Sequence, residues 1–408
     1  MKIKKIISII LMAFLAVGCA GCGGNPPDDS GGDLGNGGNE VTTDTTFYED
    51  APSVYECDDP SLQSPGVKAI FYENVDYHGE KTRVFAYMGI PSNASENNQV
   101  PGVVLLHGGG GTAYSEWVQL WNQRGYAAIA MDLEGHLPNG KSHAYSGPAR
   151  DGNFADVSKE TKDNQWWHHA VSAARGALKV LGNEAAVKGS KVGLAGISWG
   201  GVIASFTIGY EQRFAFAAMI YGCGYLNESE SYFGNLNADS AYMGNQIDAS
   251  HRFANVTMPT FWINSDNDPH FSANITSKSA QHTFGATICL KPFFPHSHQA
   301  GWAAQEVYEF ADSVVKEGNK LAVLDEPFID GNTIGVTIKP NGRTIHKVTL
   351  VYTVENSHKT WQDDAWVEVE MSLMGNTATA TLPVNVKSLY MYVTDKAGRS
   401  TSTVIYDI

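Results

Sequence analysis

The sequence predicts an α/β fold with a mostly parallel central sheet, followed by a small all-β region. Three observations carry that reading. Between about residues 100 and 316, short continuous apolar runs alternate with helix-like segments; a glycine-flanked serine stands between one such run and the stretch after it; beyond Gly318 period-two alternation takes over. Continuous apolar runs suit parallel strands buried on both faces, and alternating ones suit antiparallel strands with one wet face.

Residues 1–18 read as a bacterial export signal, with Lys2, Lys4 and Lys5 ahead of the apolar run 6–17 and then Gly18-Cys19. The run is shorter than the ~18 to 20 apolar residues a membrane span needs, so a transmembrane anchor is not expected. Ala16-Val17-Gly18-Cys19 resembles the lipobox of bacterial lipoproteins, with Leu15 one place early, Cys19 as the lipidated residue and Cys22 as an alternative. Residues 19–50, rich in Gly, Asn, Asp, Ser and Thr, cannot bury a core and are expected to form a flexible tether. Ala20 after Cys19 resembles outer-membrane sorting, so the protein is expected to be exported and to meet the membrane only through its lipid.

A chain of 408 residues exceeds one typical core. Two folded regions are expected, an α/β body over 51–318 and a β-sandwich over 320–408. The net charge of −15 argues against nucleic acid or anionic lipid as a partner. Of five cysteines, Cys19 and Cys22 fall near the signal, and Cys57, Cys223 and Cys289 match no zinc spacing and read as buried free thiols. Neither a metal nor a cofactor is expected.

Residues 69–74 and 82–90 alternate like an antiparallel pair, and the runs 103–106, 127–130, 192–195, 215–220, 261–263 and 288–293 read as parallel strands. Segments 114–124, 166–181, 202–210 and 302–316 between and after them read as helices. This strand count is that of an α/β-hydrolase fold. Further on, 333–339, 346–353, 366–371 and 388–395 alternate with period two between Asn-Gly, Gly-Asn and Ala-Gly turns, the pattern of a small sandwich.

Gly196-Ile197-Ser198-Trp199-Gly200-Gly201 follows an apolar run and precedes a helix-like stretch, the setting of a nucleophile elbow. Ser198 is therefore the candidate nucleophile. An activated serine needs a base, a group to orient that base, and donors for an oxyanion. His107-Gly108-Gly109-Gly110-Gly111 follows an apolar strand where such donors sit, which points to the N–H groups of Gly109 and Gly110, with Trp199 as a further donor. For the acid, Asp266 and Asp268 compete in the loop after strand 261–263. For the base, His296 and His298 compete between the last strand and the last helix, with His298 preferred by a narrow margin. No third ligand accompanies that pair, so a metal is not its purpose. His168 and His169 read as helix surface and packing, and His136 as a residue at the pocket side of its strand.

These motifs, with Glu116-Trp117, residues 124–132 and Tyr221-Gly222-Cys223-Gly224, resemble a bacterial group of α/β hydrolases described as acetylxylan-esterase-like or dienelactone-hydrolase-like. That group is related to the prolyl oligopeptidase catalytic domain, and the likeness runs over most of 67–408. In the group the acid ends a segment Asn-Gly-Thr-Asn-Asp, which stands here as Asn264-Ser265-Asp266-Asn267-Asp268 and favours Asp268. Its Pro-His-x-His stands as residues 295–298 and leaves the base open. The resemblance implies a serine esterase acting on acyl esters of polysaccharides, oligosaccharides or small esters. The alternatives are a prolyl-oligopeptidase-type peptidase and an inert glycan-binding lipoprotein whose C-terminal region carries Trp361 and Trp366.

Overall fold

The computed structural model describes residues 50–150, 160–231, 247–355 and 366–408. The expected export signal 1–18, Cys19, Cys22, the tether up to residue 49 and Trp361 lie outside the described residues.

The body is a nine-stranded sheet. Its strands are β1 (Val54–Glu56), β2 (Lys68–Tyr77), β3 (Glu80–Gly89), β4 (Val100–Leu106), β5 (Ala127–Met131), β6 (Val187–Ile197), β7 (Ala217–Ile220), β8 (Thr260–Ser265) and β9 (Ala286–Lys291), in the order β1-β2-β3-β5-β4-β6-β7-β8-β9. β1, β2 and β3 pair antiparallel, and β3 lies antiparallel to β5. From β5 through β4 to β9 every pairing is parallel. β5, β7 and β8 are buried at every residue, which accounts for their unbroken apolar runs.

The helices are α1 (Ser115–Gln123), α2 (Trp166–Gly182), α3 (Trp199–Tyr210), α4 (Ala273–Gln281), α5 (His298–Ala303) and α6 (Gln305–Val315). α1 is amphipathic and buries Trp117, Val118 and Trp121, whereas α2 and α3 are buried nearly all round. The expected helix over 302–316 is two helices, because Ala304 adopts an extended conformation between them. α4 gave no sequence signal because Thr276, Ser277 and Ser279 take core positions. Each is made tolerable by hydrogen bonds, such as Ser279 Oγ to the Ile275 carbonyl at 2.6 Å. Cys223 and Cys289 are buried free thiols, but Cys57 is half-exposed, a departure from the expectation for all three.

The C-terminal region holds two five-stranded antiparallel sheets. One combines β10 (Val323–Leu324), β11 (Phe328–Asp330), β12 (Thr333–Lys339), β15 (Ser372–Met374) and β16 (Thr377–Thr381). The other combines β13 (Ile345–Thr353), β14 (Val367–Glu370), β17 (Ser388–Asp395), β18 (Ser400–Ser402) and β19 (Tyr406–Asp407). Ile334, Val336 and Ile338 from β12, Val348 and Leu350 from β13, and Leu389, Met391 and Val393 from β17 share one core. The two-residue spacing within each strand is the alternation read in the sequence.

The described residues belong to one compact unit, with the C-terminal sheets packed on the body. Leu290 N–H of edge strand β9 donates to Ser402 Oγ at 2.8 Å, and Ile405 N–H donates to Ser277 Oγ at 2.7 Å. β18 thereby covers a strand edge that would otherwise invite pairing with another chain. Arg343 joins the two regions, reaching Glu309 of α6 at 2.7 Å and Asp395 at 2.8 Å. Burial works against the Asp395 charge, but the Arg343 guanidinium and the N–H groups of Arg399 and Ala397 outweigh it and hold its pKa below the usual value.

Replacing Arg343 with Met leaves Asp395 without its cation, and the expected loss of stability is on the order of 3 kcal/mol, read as a lower urea midpoint at unchanged m-value. A depressed carboxylate contributes stability above its unfolded pKa of ~3.9 and loses it as pH falls through the lower folded value. The gap between wild type and Arg343→Met should therefore narrow below about pH 4.

Candidate active site

The C-terminal ends of β4, β6, β8 and β9 converge on Ser198. Ser198 follows β6 and opens α3 with φ 56° and ψ −122°, a region that a residue with a side chain rarely adopts. Its N–H donates to the Ile220 carbonyl at 2.8 Å, pinning the turn to β7. The flanking glycines are there for space. A Cβ on Gly196 would stand 2.1 Å from the Gly200 carbonyl oxygen, and one on Gly200 would stand 2.3 Å from the Leu106 oxygen. Only glycine lets β4, β6 and α3 close this tightly.

His296 Nε2 lies 2.9 Å from Ser198 Oγ, and its Nδ1 lies 2.5 Å from Asp268 Oδ2. Because an ionised carboxylate only accepts, the neutral tautomer that fits this contact carries its proton on Nδ1 and leaves Nε2 to accept from the serine hydroxyl. Asp268 is fully buried, and its other oxygen accepts the N–H groups of His270 and Phe271, each at 2.8 Å. Those donors make a buried carboxylate tolerable and aim its free oxygen at His296. The Tyr221 ring stacks on His296 with centroids 4.4 Å apart, and its hydroxyl donates to the Pro295 carbonyl at 2.6 Å.

The preference for His298 is corrected by this geometry. His298 is the first residue of α5 rather than part of an extended loop, and its Nε2 accepts the Gly108 N–H at 2.9 Å. Burial, with His107 and His296 adding to it, pushes its pKa down to about 4, so it is a neutral acceptor holding the glycine loop. His107, at the start of the same loop, braces it as well, with Nδ1–H donating to the Gly108 carbonyl at 2.7 Å and Nε2 accepting Leu133 N–H at 2.9 Å. Asp266, the rival acid, points away from His296 and accepts the Tyr390 hydroxyl at 2.9 Å.

Of the expected oxyanion donors, Gly110 is corrected too. Its N–H donates to Glu134 Oε1 at 3.3 Å, because that carboxylate stands beside the loop. No hydrogen bond engages the Gly109 N–H among the described residues. The Trp199 N–H precedes the first bond of α3, which runs from Val202 to the Ser198 carbonyl. Arg150 donates from Nε to Glu134 at 3.2 Å, and its guanidinium stands over the Trp199 ring, 5.3 Å from the centroid. A Cβ on Gly109 would stand 3.0 Å from Arg150 Nη2.

His169 is buried in α2, where desolvation, with His168 adding to it, pushes its pKa down to about 3. His136 lies in the loop after β5 with its N–H on Asp132 Oδ2 at 2.7 Å. Neither joins the group around Ser198. Glu134, Arg150 and Tyr390 carry no sequence signal for a place near the site, and Tyr221 enters the sequence reading only within a family motif. Tyr221 alone had a signal, since Tyr221-Gly222-Cys223-Gly224 directly follows a parallel strand.

The fold and the geometry at its strand ends define a class, and comparison with known proteins supplies the family. A family model described as "Alpha/beta hydrolase family" matches residues 103–324, more than half of the chain, and the chain belongs to that family. Among solved structures it is similar to the acetyl xylan esterase from Paenibacillus sp. R4, at TM-score 0.52 and 15% identity over 64% of this chain and 88% of that one. It is also similar to acetyl xylan esterase 1 from Thermoanaerobacterium sp. JW/SL YS485, at TM-score 0.49 and 14% identity over 65% of this chain and 89% of that one. The acylaminoacyl peptidase of Pyrococcus horikoshii matches at TM-score 0.49 and 14% identity over 65% of this chain and 44% of that one. At such identities the likeness is one of fold. No curated protein sequence matches the chain.

A buried neutral histidine contributes stability that is full above its unfolded pKa of ~6.5 and declines as pH falls toward its folded value. For His298 that window runs from ~6.5 down to about 4. His298→Gln keeps an acceptor for Gly108 N–H but does not titrate, so its melting temperature should fall less than that of wild type across this window. His298→Ala leaves that N–H unpartnered and should cost about 1 to 3 kcal/mol at pH 7.

Proposed function

We propose that the protein is a serine esterase. The chain of contacts from Asp268 through His296 to Ser198 Oγ carries this reading, because it brings a ring nitrogen within hydrogen-bond reach of the hydroxyl. Ser198 Oγ attacks the ester carbonyl carbon while His296 Nε2 takes its proton, and Asp268 stabilises the resulting imidazolium. The N–H groups of Gly109 and Trp199 receive the carbonyl oxygen as it becomes an oxyanion. Collapse expels the alcohol, protonated by His296, and leaves an acyl-serine. Water, deprotonated by the same histidine, then attacks that carbonyl and frees the acid and Ser198.

We infer that the substrates are acetyl or other acyl esters of polysaccharides or oligosaccharides. Support comes from the similarity in fold to an acetyl xylan esterase and from the sequence motifs shared with acetylxylan-esterase-like hydrolases. The export signal and Cys19 support a lipid-anchored protein at the outer membrane that meets such glycans outside the cytoplasm.

Hydrolysis of p-nitrophenyl acetate and release of acetate from acetylated xylan test the reading. Ser198→Ala and His296→Ala should each lower kcat by on the order of 10⁴ or more, whereas His298→Gln should stay within about tenfold of wild type. Full activity in Ser198→Ala would overturn the proposal. Faster turnover of peptide amides than of esters would replace it with a peptidase.

A further inference from the structure

Three chain segments meet at Asp266, and two of them carry the groups on either side of the His296–Asp268 hydrogen bond. Asp266 lies two residues before Asp268 on the loop after β8. Its Oδ1 accepts the N–H of Phe293, three residues before His296 on the loop after β9, at 3.4 Å. Its Oδ2 accepts the hydroxyl of Tyr390, on β17 of the C-terminal sheets, at 2.9 Å. Ser265 adds a parallel tie, since its Oγ accepts the Phe294 N–H at 3.0 Å.

Alternation along β17 explains how Tyr390 gets there. Leu389, Met391 and Val393 point into the core between the two C-terminal sheets, so Tyr390 points to the opposite face, where the body lies. It is fully buried, and the Trp366 ring meets it edge-on with centroids 5.7 Å apart. The hydroxyl therefore has little freedom to turn elsewhere.

We propose that Tyr390 is a positioning residue for the esterase reaction: through Asp266, the C-terminal β region sets the spacing between His296 and Asp268. This rests on the reading of Ser198, His296 and Asp268 given above. Burial pushes the Asp266 carboxyl up in pKa, and the Tyr390 hydroxyl and Phe293 N–H oppose that shift. Without the hydroxyl, Oδ2 loses that donor in a buried setting, and the carboxyl takes up a proton or turns. Either response alters the hold on the histidine loop. A shift of ~1 Å in a catalytic pair is enough to cost up to 10² in rate. The body is thus catalytically incomplete without its β extension.

Tyr392 provides an internal control. It lies on the same face of the same strand and donates its hydroxyl to another carboxylate, Glu368 Oε2, at 2.8 Å. Tyr390→Phe and Tyr392→Phe each remove one hydroxyl from the full-length protein, but only the first removes a hydrogen bond to Asp266. Tyr390→Phe should lower kcat for p-nitrophenyl acetate about tenfold with KM within about twofold, in line with a loss of positioning rather than of binding. The downfield proton resonance of the His296 Nδ1–H bond should shift as well. Tyr392→Phe should leave both unchanged. Asp266→Ala should reproduce the loss, and adding Tyr390→Phe to it should lower kcat no further. Wild-type kcat in Tyr390→Phe, or equal losses in both tyrosine variants that track their melting temperatures, would overturn the proposal. Activity that survives Ser198→Ala would instead overturn the reading of the site on which it rests.

Discussion

The contact between the backbones of Gly196 and Gly200 is the constraint on which the rest of the site depends. It lets β6 turn into α3 with no intervening residue but Ser198, which is forced to a positive φ. That turn lifts the hydroxyl above the sheet and keeps it from the helix bonds its neighbours make. The cost of the strained conformation, of order 1 to 3 kcal/mol, is offset by the Ser198 N–H bond to β7 and by a nearly all-buried α3. Because the elbow also lies against the carbonyls of Leu106 and His107, the glycine loop after β4 is placed relative to the hydroxyl by the same packing.

Around that fixed point the histidines divide the labour. His296 is held between a carboxylate and a hydroxyl, where it can exchange a proton. His298 accepts the Gly108 N–H, and His107 spans the Gly108 carbonyl and the Leu133 N–H. Burial keeps His298 neutral, so its lone pair stays available to Gly108 N–H. The same residue type thus stands against a hydroxyl in one place and fixes a peptide N–H in another. The partners on its two ring nitrogens make the difference.

Much of the body was legible from residue patterns. Unbroken apolar runs marked β4 to β9 because parallel strands are buried on both faces, and alternation marked β2, β3, β12, β13 and β17 because each has two unlike faces. α4 was not legible because buried Ser and Thr stand where apolar residues would signal a helix. The choice between Asp266 and Asp268 came from a shared motif rather than from composition. The choice between His296 and His298 had no sequence signal, since it depends on a helix that begins at His298 and turns its ring toward Gly108.

By itself, the sequence determined the order of elements, the serine at a strand-to-helix turn and the late pairs of acids and histidines, because these follow from local spacing and steric demand. Only the tertiary structure decided which histidine meets Ser198 and that the Gly110 N–H turns to Glu134. Those assignments depend on where loops after β4, β8 and β9 meet, and on Tyr390 and Glu134, which reach the loops from elsewhere in the chain. Contacts between residues distant in sequence leave no trace in the pattern of either partner alone.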